Sequence, residues 1–194
     1  MNLLRAALVV AMTWSAAAQA ADCPRKGALG TSRILDVDVA TTPRIGLKSF
    51  PQTLPLDDRE VVLTFDDGPW PPTTRRVLAA LARECVRATF FLIGKSAARH
   101  PEMVRKIAAE GHTIGHHSWS HRNLMRITPS EIFEEIDRGI AADEMALHGV
   151  ETRVPSTPFF RFPFFESMPA TLDLLQSRGI VVFGADLWAR DWDR

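Results

Sequence analysis

The sequence predicts an α/β fold built on a mostly parallel sheet, open or closed into a barrel, and three observations carry that expectation. From Val61 onward, compact apolar runs alternate with helical stripes. Gly68-Pro69, Gly94 and Gly111 punctuate them where a strand or helix has to stop. Carboxylate, guanidinium and imidazole side chains collect just after the apolar runs, where a parallel sheet presents the carboxyl ends of its strands.

In chain order, residues 1–20 read as a secretory signal, with Arg5 as the positive start, Ala6 to Trp14 as the apolar stretch and Ala18-Gln19-Ala20 as the cleavage site. That stretch is shorter than the ~20 residues a membrane-spanning helix needs. An exported product beginning at Ala21, periplasmic or secreted and without a membrane anchor, is therefore expected. Asp22 directly before Cys23 gives no lipid-attachment signal.

Residues 21–59 form a leader rich in Pro, Thr and Gly. There Leu35, Val37 and Val39 alternate with Asp36 and Asp38, the pattern of a short edge strand with a solvated acidic face. Export permits a disulfide, for which Cys23 and Cys85 are the two candidates. A small buried core residue is an equal reading for Cys85, which follows the stripe Val77, Leu78 and Leu81.

The main domain is expected over residues 60–194. Val61 to Phe65 reads as a strand, Thr73 to Val86 as a helix and Thr89 to Ile93 as a second strand. A helix opened by Pro101 and closed by Gly111 precedes a short strand near Thr113 to Gly115. Thr128-Pro129-Ser130-Glu131 spells a capping box with proline at the first helical position, leading a helix whose Phe133, Ile136 and Ile140 are expected to share a face. Phe159 to Phe162 and Ile180 to Ala185 complete the visible strands.

Charge narrows the partners. Lys plus Arg and Asp plus Glu each number 23, with no run of like sign, so the chain lacks the basic footprint of a nucleic-acid binder. Neutral, polyhydroxylated substrates fit better, and no protein partner is implied.

The chemistry concentrates in two segments, Thr64-Phe65-Asp66-Asp67-Gly68-Pro69 and His117-Ser118-Trp119-Ser120-His121. A turn accounts for the glycine and proline of the first but not for its two adjacent carboxylates. In the second, a four-residue spacing on a helical turn places both imidazoles on one face. One carboxylate and two imidazoles around a second, free carboxylate are the components of metal-assisted hydrolysis, with a coordination position open for water and a base beside it. His112 and His116 read as core or supporting residues, and His100 and His148 as exposed helix ends.

These segments, with Arg161-Phe162-Pro163-Phe164 and Asp191-Trp192, resemble the ordered motifs of polysaccharide deacetylases of the NodB-homology type, carbohydrate esterase family 4. The resemblance runs from about Glu60 to Arg194 and implies a distorted (β/α) barrel. It implies that Asp67, His117 and His121 bind a divalent metal, Zn²⁺ or alternatively Co²⁺, with Asp66 as general base and Arg161 holding Asp66 ionised. It implies further that the Phe164 backbone N–H, where the family often has Tyr, helps bind an oxyanion. Asp191 would orient a general-acid histidine, and Trp192 would contact an acetylated carbohydrate. Of the other tryptophans, Trp119 is expected as a core plug between two ligands, with Trp70 and Trp188 beside motifs.

The chain departs from the family where a fifth motif, Leu-x-x-His, should follow Asp191-Trp192, since no histidine occurs after His148. Five βα-type strands are visible where the family barrel has seven or eight. The barrel is thus expected to be incomplete for want of its last strands, as a fragment, as a truncated product, or as a sheet completed by a partner, in that order. The alternative function is an inactive fragment or a carbohydrate-binding remnant without a general acid. A two-His-one-carboxylate iron oxygenase is disfavoured, because its His-x-Asp arrangement is absent and Asp66 would have no role.

Overall fold

A computed structural model describes Cys23 and residues 25–191. The expected signal and Trp192 lie outside these residues. The elements run β1 (Arg44–Ile45), β2 (Thr64–Gly68), α1 (Pro71–Glu84), β3 (Thr89–Leu92), α2 (Gly94–Arg99), α3 (Pro101–Ala109), β4 (Thr113–His116), α4 (Pro129–His148), β5 (Phe159–Phe160), α5 (Pro169–Ser177) and β6 (Val181–Phe183). The six strands form one sheet in the order β1-β6-β5-β4-β3-β2, and every pairing is parallel. This curled half-barrel is the distorted (β/α) architecture that the motifs imply. Among the described residues no helix is long and apolar enough to cross a membrane.

Alternation along the strands sorts side chains into two layers. Phe90, Leu92 and Ile114 pack with Leu78 and Leu81 of α1 and Met103, Val104 and Ile107 of α3. Phe160 and Val182 pack with Ile132, Ile136 and Ile140 of α4 and Leu172 and Leu175 of α5. Their strand neighbours Phe91, Val181 and Phe183 point the other way, into a smaller cluster with Ile45 that is covered by Val37, Val39 and Leu54. The leader is thus part of the packing on the face opposite the helices.

Several expectations shift by a few residues, for identifiable reasons. The leader alternates in burial as expected, with Leu35, Val37 and Val39 half-buried and Asp36 and Asp38 exposed, but it makes no ladder there. Asp38 instead closes a turn, its carboxylate accepting from Ala40 N at 2.9 Å, and the strand forms beyond it at β1. Val61, Val62 and Leu63 are exposed and lead into β2, which begins only at Thr64. The segment after Gly94 is the short helix α2, which the sequence reading passed over. The capping box forms as spelled, with Thr128 Oγ1 accepting from Glu131 N and Glu131 accepting from Thr128 N. Phe133, however, is 47% exposed, and the buried stripe of α4 is Ile132, Ile136 and Ile140 at four-residue spacing.

Cys23 and Cys85 form a disulfide, resolving the two readings of Cys85. Cys85 sits at the left-handed C-cap of α1, and Thr31 Oγ1 donates to its carbonyl at 3.3 Å. The start of the described chain is therefore tied to the end of the first helix.

Candidate active site

Two adjacent residues of a regular strand point to opposite faces, so Asp66 and Asp67 could not share a site without a distortion. The distortion is present. Thr64 and Phe65 pair with Thr89 and Phe90, but Gly68 pairs with Leu92, leaving Asp66 and Asp67 together opposite Phe91. This bulge places Asp67 at φ 67°, a conformation that short carboxylate side chains tolerate, and re-aims its side chain. Phe65 meanwhile stacks on Phe90 at 5.1 Å between ring centroids and anchors the strand to the helix side.

His117 leaves the end of β4 with its N–H bonded to Leu92 O at 2.8 Å. Its Nδ1 donates to Arg161 O at 2.7 Å, since a carbonyl can only accept, and Nε2 is therefore the nitrogen turned toward Asp67. That Nε2 lies 3.4 Å from Asp67 Oδ1, and His121 Nε2 lies 3.2 Å from the same oxygen. The two rings meet edge to face at 4.9 Å. The route between them is not the expected helical turn. Ser118 and His121 both adopt positive φ, 63° and 61°, and Ser118 Oγ accepts from His121 N at 3.0 Å, so a tight loop brings the rings together.

Asp67, His117 and His121 thus each offer one ligand atom within 4.8 Å of one another. The hydrogen-bonded His117 holds the Asp67 carboxyl below its usual range, and burial followed by the neighbouring His117 pushes His121 below the ordinary imidazole value. One carboxylate and two imidazoles are the donor types a divalent transition metal takes, and the Arg161 carbonyl behind His117 is the outer support such side chains use. The residues present fit such an ion.

Asp66 is not one of these three side chains. Arg161 Nη1 donates to Asp66 Oδ1 at 2.7 Å and to Thr64 Oγ1 at 2.8 Å, while Nη2 donates to Gly184 O at 2.7 Å. Nε reaches Phe183 O at 3.3 Å, and the guanidinium carbon lies 4.2 Å from the centre of the Phe91 ring. Burial pulls the Arg161 pKa down, and the Asp66 charge works against that. The arginine is fixed on three strands and aims one edge at one carboxylate.

The remaining expected residues are placed as follows. Phe164 is exposed at φ 60°, with its ring 4.7 Å from that of His121. Asp191 lies in an exposed turn, and among the described residues no hydrogen bond or ion pair joins it to the carboxylate–imidazole cluster. Trp119 is half-buried rather than a core plug, and Arg138 covers its ring at 3.9 Å. Trp70 is exposed, and Trp188 stacks on Phe165 at 5.4 Å. Asp186 accepts from Leu47 N at 2.7 Å and Thr53 Oγ1 at 2.5 Å, so it ties the leader to the sheet.

Two partnerships escaped the sequence reading. His116 Nδ1 pairs with Asp143 Oδ2 at 2.7 Å, both side chains 1% exposed, and burial pushes the Asp143 carboxyl up to about 6 against the pull of His116. Glu135, also buried, accepts from Ser120 N at 2.9 Å and Ser120 Oγ at 2.6 Å. The available signal was acidic residues on the apolar face of α4, where a carboxylate persists only with a partner.

The polysaccharide deacetylase family model matches residues 53–183. The chain is 35% identical over 138 residues to a peptidoglycan-N-acetylglucosamine deacetylase of Bacillus cereus, covering 71% of this chain and 48% of that protein. It is 46% identical over 78 residues to a chitooligosaccharide deacetylase of Bradyrhizobium sp., covering 40% of this chain and 36% of that protein. The chain thus spans about half or less of the length of these relatives. Among solved structures, the family 4 carbohydrate esterase from Streptomyces lividans in complex with acetate superposes with a TM-score of 0.61 at 33% identity, over 70% of this chain and 67% of that one. A peptidoglycan N-acetylglucosamine deacetylase superposes with a TM-score of 0.64 at 29% identity, over 75% of this chain and 62% of that one.

Proposed function

Since this chain belongs to the polysaccharide deacetylase family, we propose that it serves metal-dependent hydrolysis of acetyl groups on an N-acetylated or O-acetylated oligosaccharide or polysaccharide. The observation that carries the reading is an Asp66 carboxylate held by Arg161 at 2.7 Å beside, but outside, the Asp67, His117 and His121 cluster.

In this reading Asp67, His117 and His121 hold Zn²⁺, or Co²⁺ in its place. The ion supplies Lewis acidity toward the acetyl carbonyl and acidifies water near neutral pH. Asp66 accepts the proton of the attacking water, and Arg161, bonded to it at 2.7 Å, fixes its direction. The Phe164 N–H donates to the oxygen on which negative charge develops. As the new C–O bond forms, the C–N or C–O bond to the sugar breaks, the leaving group takes up the proton, and acetate departs. Asp191 as the orienting partner of a proton donor and Trp192 as a sugar contact complete the reading on family resemblance.

N-Acetylglucosamine polymers are the favoured substrates, in line with the relatives named for peptidoglycan and chitooligosaccharide. Export to the periplasm or medium accords with the Cys23–Cys85 disulfide. The test is acetate release from N-acetylglucosamine oligomers and from peptidoglycan. Release that a chelator abolishes and Zn²⁺ or Co²⁺ restores is expected. Folded protein that binds neither ion would overturn the reading.

A further inference from the structure

The loop that carries both imidazoles lies along one face of α4, in antiparallel register. Asp143 meets His116 at 2.7 Å. One helical turn earlier, Gly139 lies against the Ser118–Trp119 peptide: a Cβ there would stand 2.6 Å from Ser118 C, 2.8 Å from its oxygen and 2.9 Å from Trp119 N. One further turn earlier, Glu135 holds Ser120 through both its N–H and its hydroxyl, at 2.9 and 2.6 Å. Glu135, Gly139 and Asp143 share a face at four-residue spacing, and all three are buried.

Gly139 is placed where glycine is unfavourable, inside a long helix, and its φ is not positive, so no backbone requirement of α4 accounts for it. What accounts for it is close approach. A Cβ on Gly94 would in turn meet Gly139 Cα at 2.8 Å, and the first two N–H groups of α2 donate to Ser118 O at 3.0 Å and Trp119 O at 2.9 Å. At Gly139 the helix α4 meets the backbone of the loop and of the first turn of α2, with the Trp119 ring alongside Gly94.

We propose that the Glu135–Gly139–Asp143 face of α4 is a positioning template that holds Ser118 in its left-handed conformation and thereby sets the separation of His117 and His121 for metal binding. The inference rests on the proposed metal-dependent function and extends it to residues that touch neither metal nor substrate. Gly139→Ala pushes the loop away from α4, and Glu135→Gln keeps the volume but replaces a doubly accepting carboxylate. Outer supports of metal ligands are worth about 10–100-fold in affinity.

The experiment uses the full chain, freed of metal, with Co²⁺ and Zn²⁺ titrated against a competing chelator. The Co²⁺ absorption bands report ligand geometry, and thermal melting of the metal-free protein reports folding. Gly139→Ala and Glu135→Gln are each expected to weaken affinity about 10-fold or more and to shift the Co²⁺ bands. The exposed Phe133→Ala, on another face of α4, should change neither. Folded Gly139→Ala protein with parental affinity and bands would overturn the template, and if that variant does not fold, parental values in Glu135→Gln would do so. A folded parent that binds no metal would instead remove the functional reading itself, and the template with it.

Discussion

Arg161 and Asp66 are joined at 2.7 Å although Asp66 lies on β2 and Arg161 follows the end of β5, three places away in the sheet, and the arginine side chain is 5% exposed. A buried guanidinium bonded to two main-chain carbonyls, a hydroxyl and one carboxylate has little freedom to choose another partner. Arg161→Ala should lose about 3 kcal/mol of stability by leaving those acceptors without a donor. Denaturant unfolding checks the loss, and a variant as stable as the parent would show that water replaces the guanidinium.

Asp66 and His117 should separate by phenotype. Asp66→Asn leaves all three proposed ligands in place, so metal affinity is expected to stay parental while turnover falls by about 100-fold or more. His117→Ala removes a ligand and should lose both. Equal loss of metal in the two variants, read by titration against a chelator, would contradict the division of labour.

The Cys23–Cys85 crosslink spans 62 residues of sequence. Replacing both cysteines by serine should lower stability by about 2–4 kcal/mol, measured as the shift in denaturant midpoint. Reductant should produce the same shift in the parent and none in the double variant.

The capping box gives a pH signature. Glu131 is held down to about 2, first by the Thr128 N–H, then by the Thr128 hydroxyl and Arg122. Its folded value lies below its ordinary 4.5, so the stabilisation is complete above that pH and disappears as pH falls toward 2. The melting difference between parent and Glu131→Gln should follow that course, and a difference independent of pH would assign the effect to shape rather than charge.

Much of the sheet was legible because apolar runs and turn residues report local preference, which β3, β4 and β6 obey. The places that misled are those where tertiary contact decides. Four-residue spacing suggests a helix for His117 and His121, yet the segment is a loop with Ser118 and His121 at positive φ, packed against Gly139, with the same outcome for the rings. The Asp66-Asp67 pair was visible as chemistry, but the bulge that sets both residues opposite Phe91 depends on pairing with β3. Phe133 satisfied the helical period and still faces water, because Ile132 occupies the core side. The carboxylates of Glu135 and Asp143 had no visible partner until the loop was laid beside them.

The pairing of β1 with β6 bears on how a shortened polypeptide would behave. Beginning expression near residue 60, where the recognisable motifs start, would strip Arg44 and Ile45 from Val182 and Phe183, and would take Leu47 and Thr53 from Asp186. A parallel strand would then show its bare hydrogen-bonding edge to solvent, an invitation to aggregate. Recombinant versions should therefore start upstream of Arg33, whose guanidinium grips Glu60 at 2.6 Å and closes the strap over the sheet.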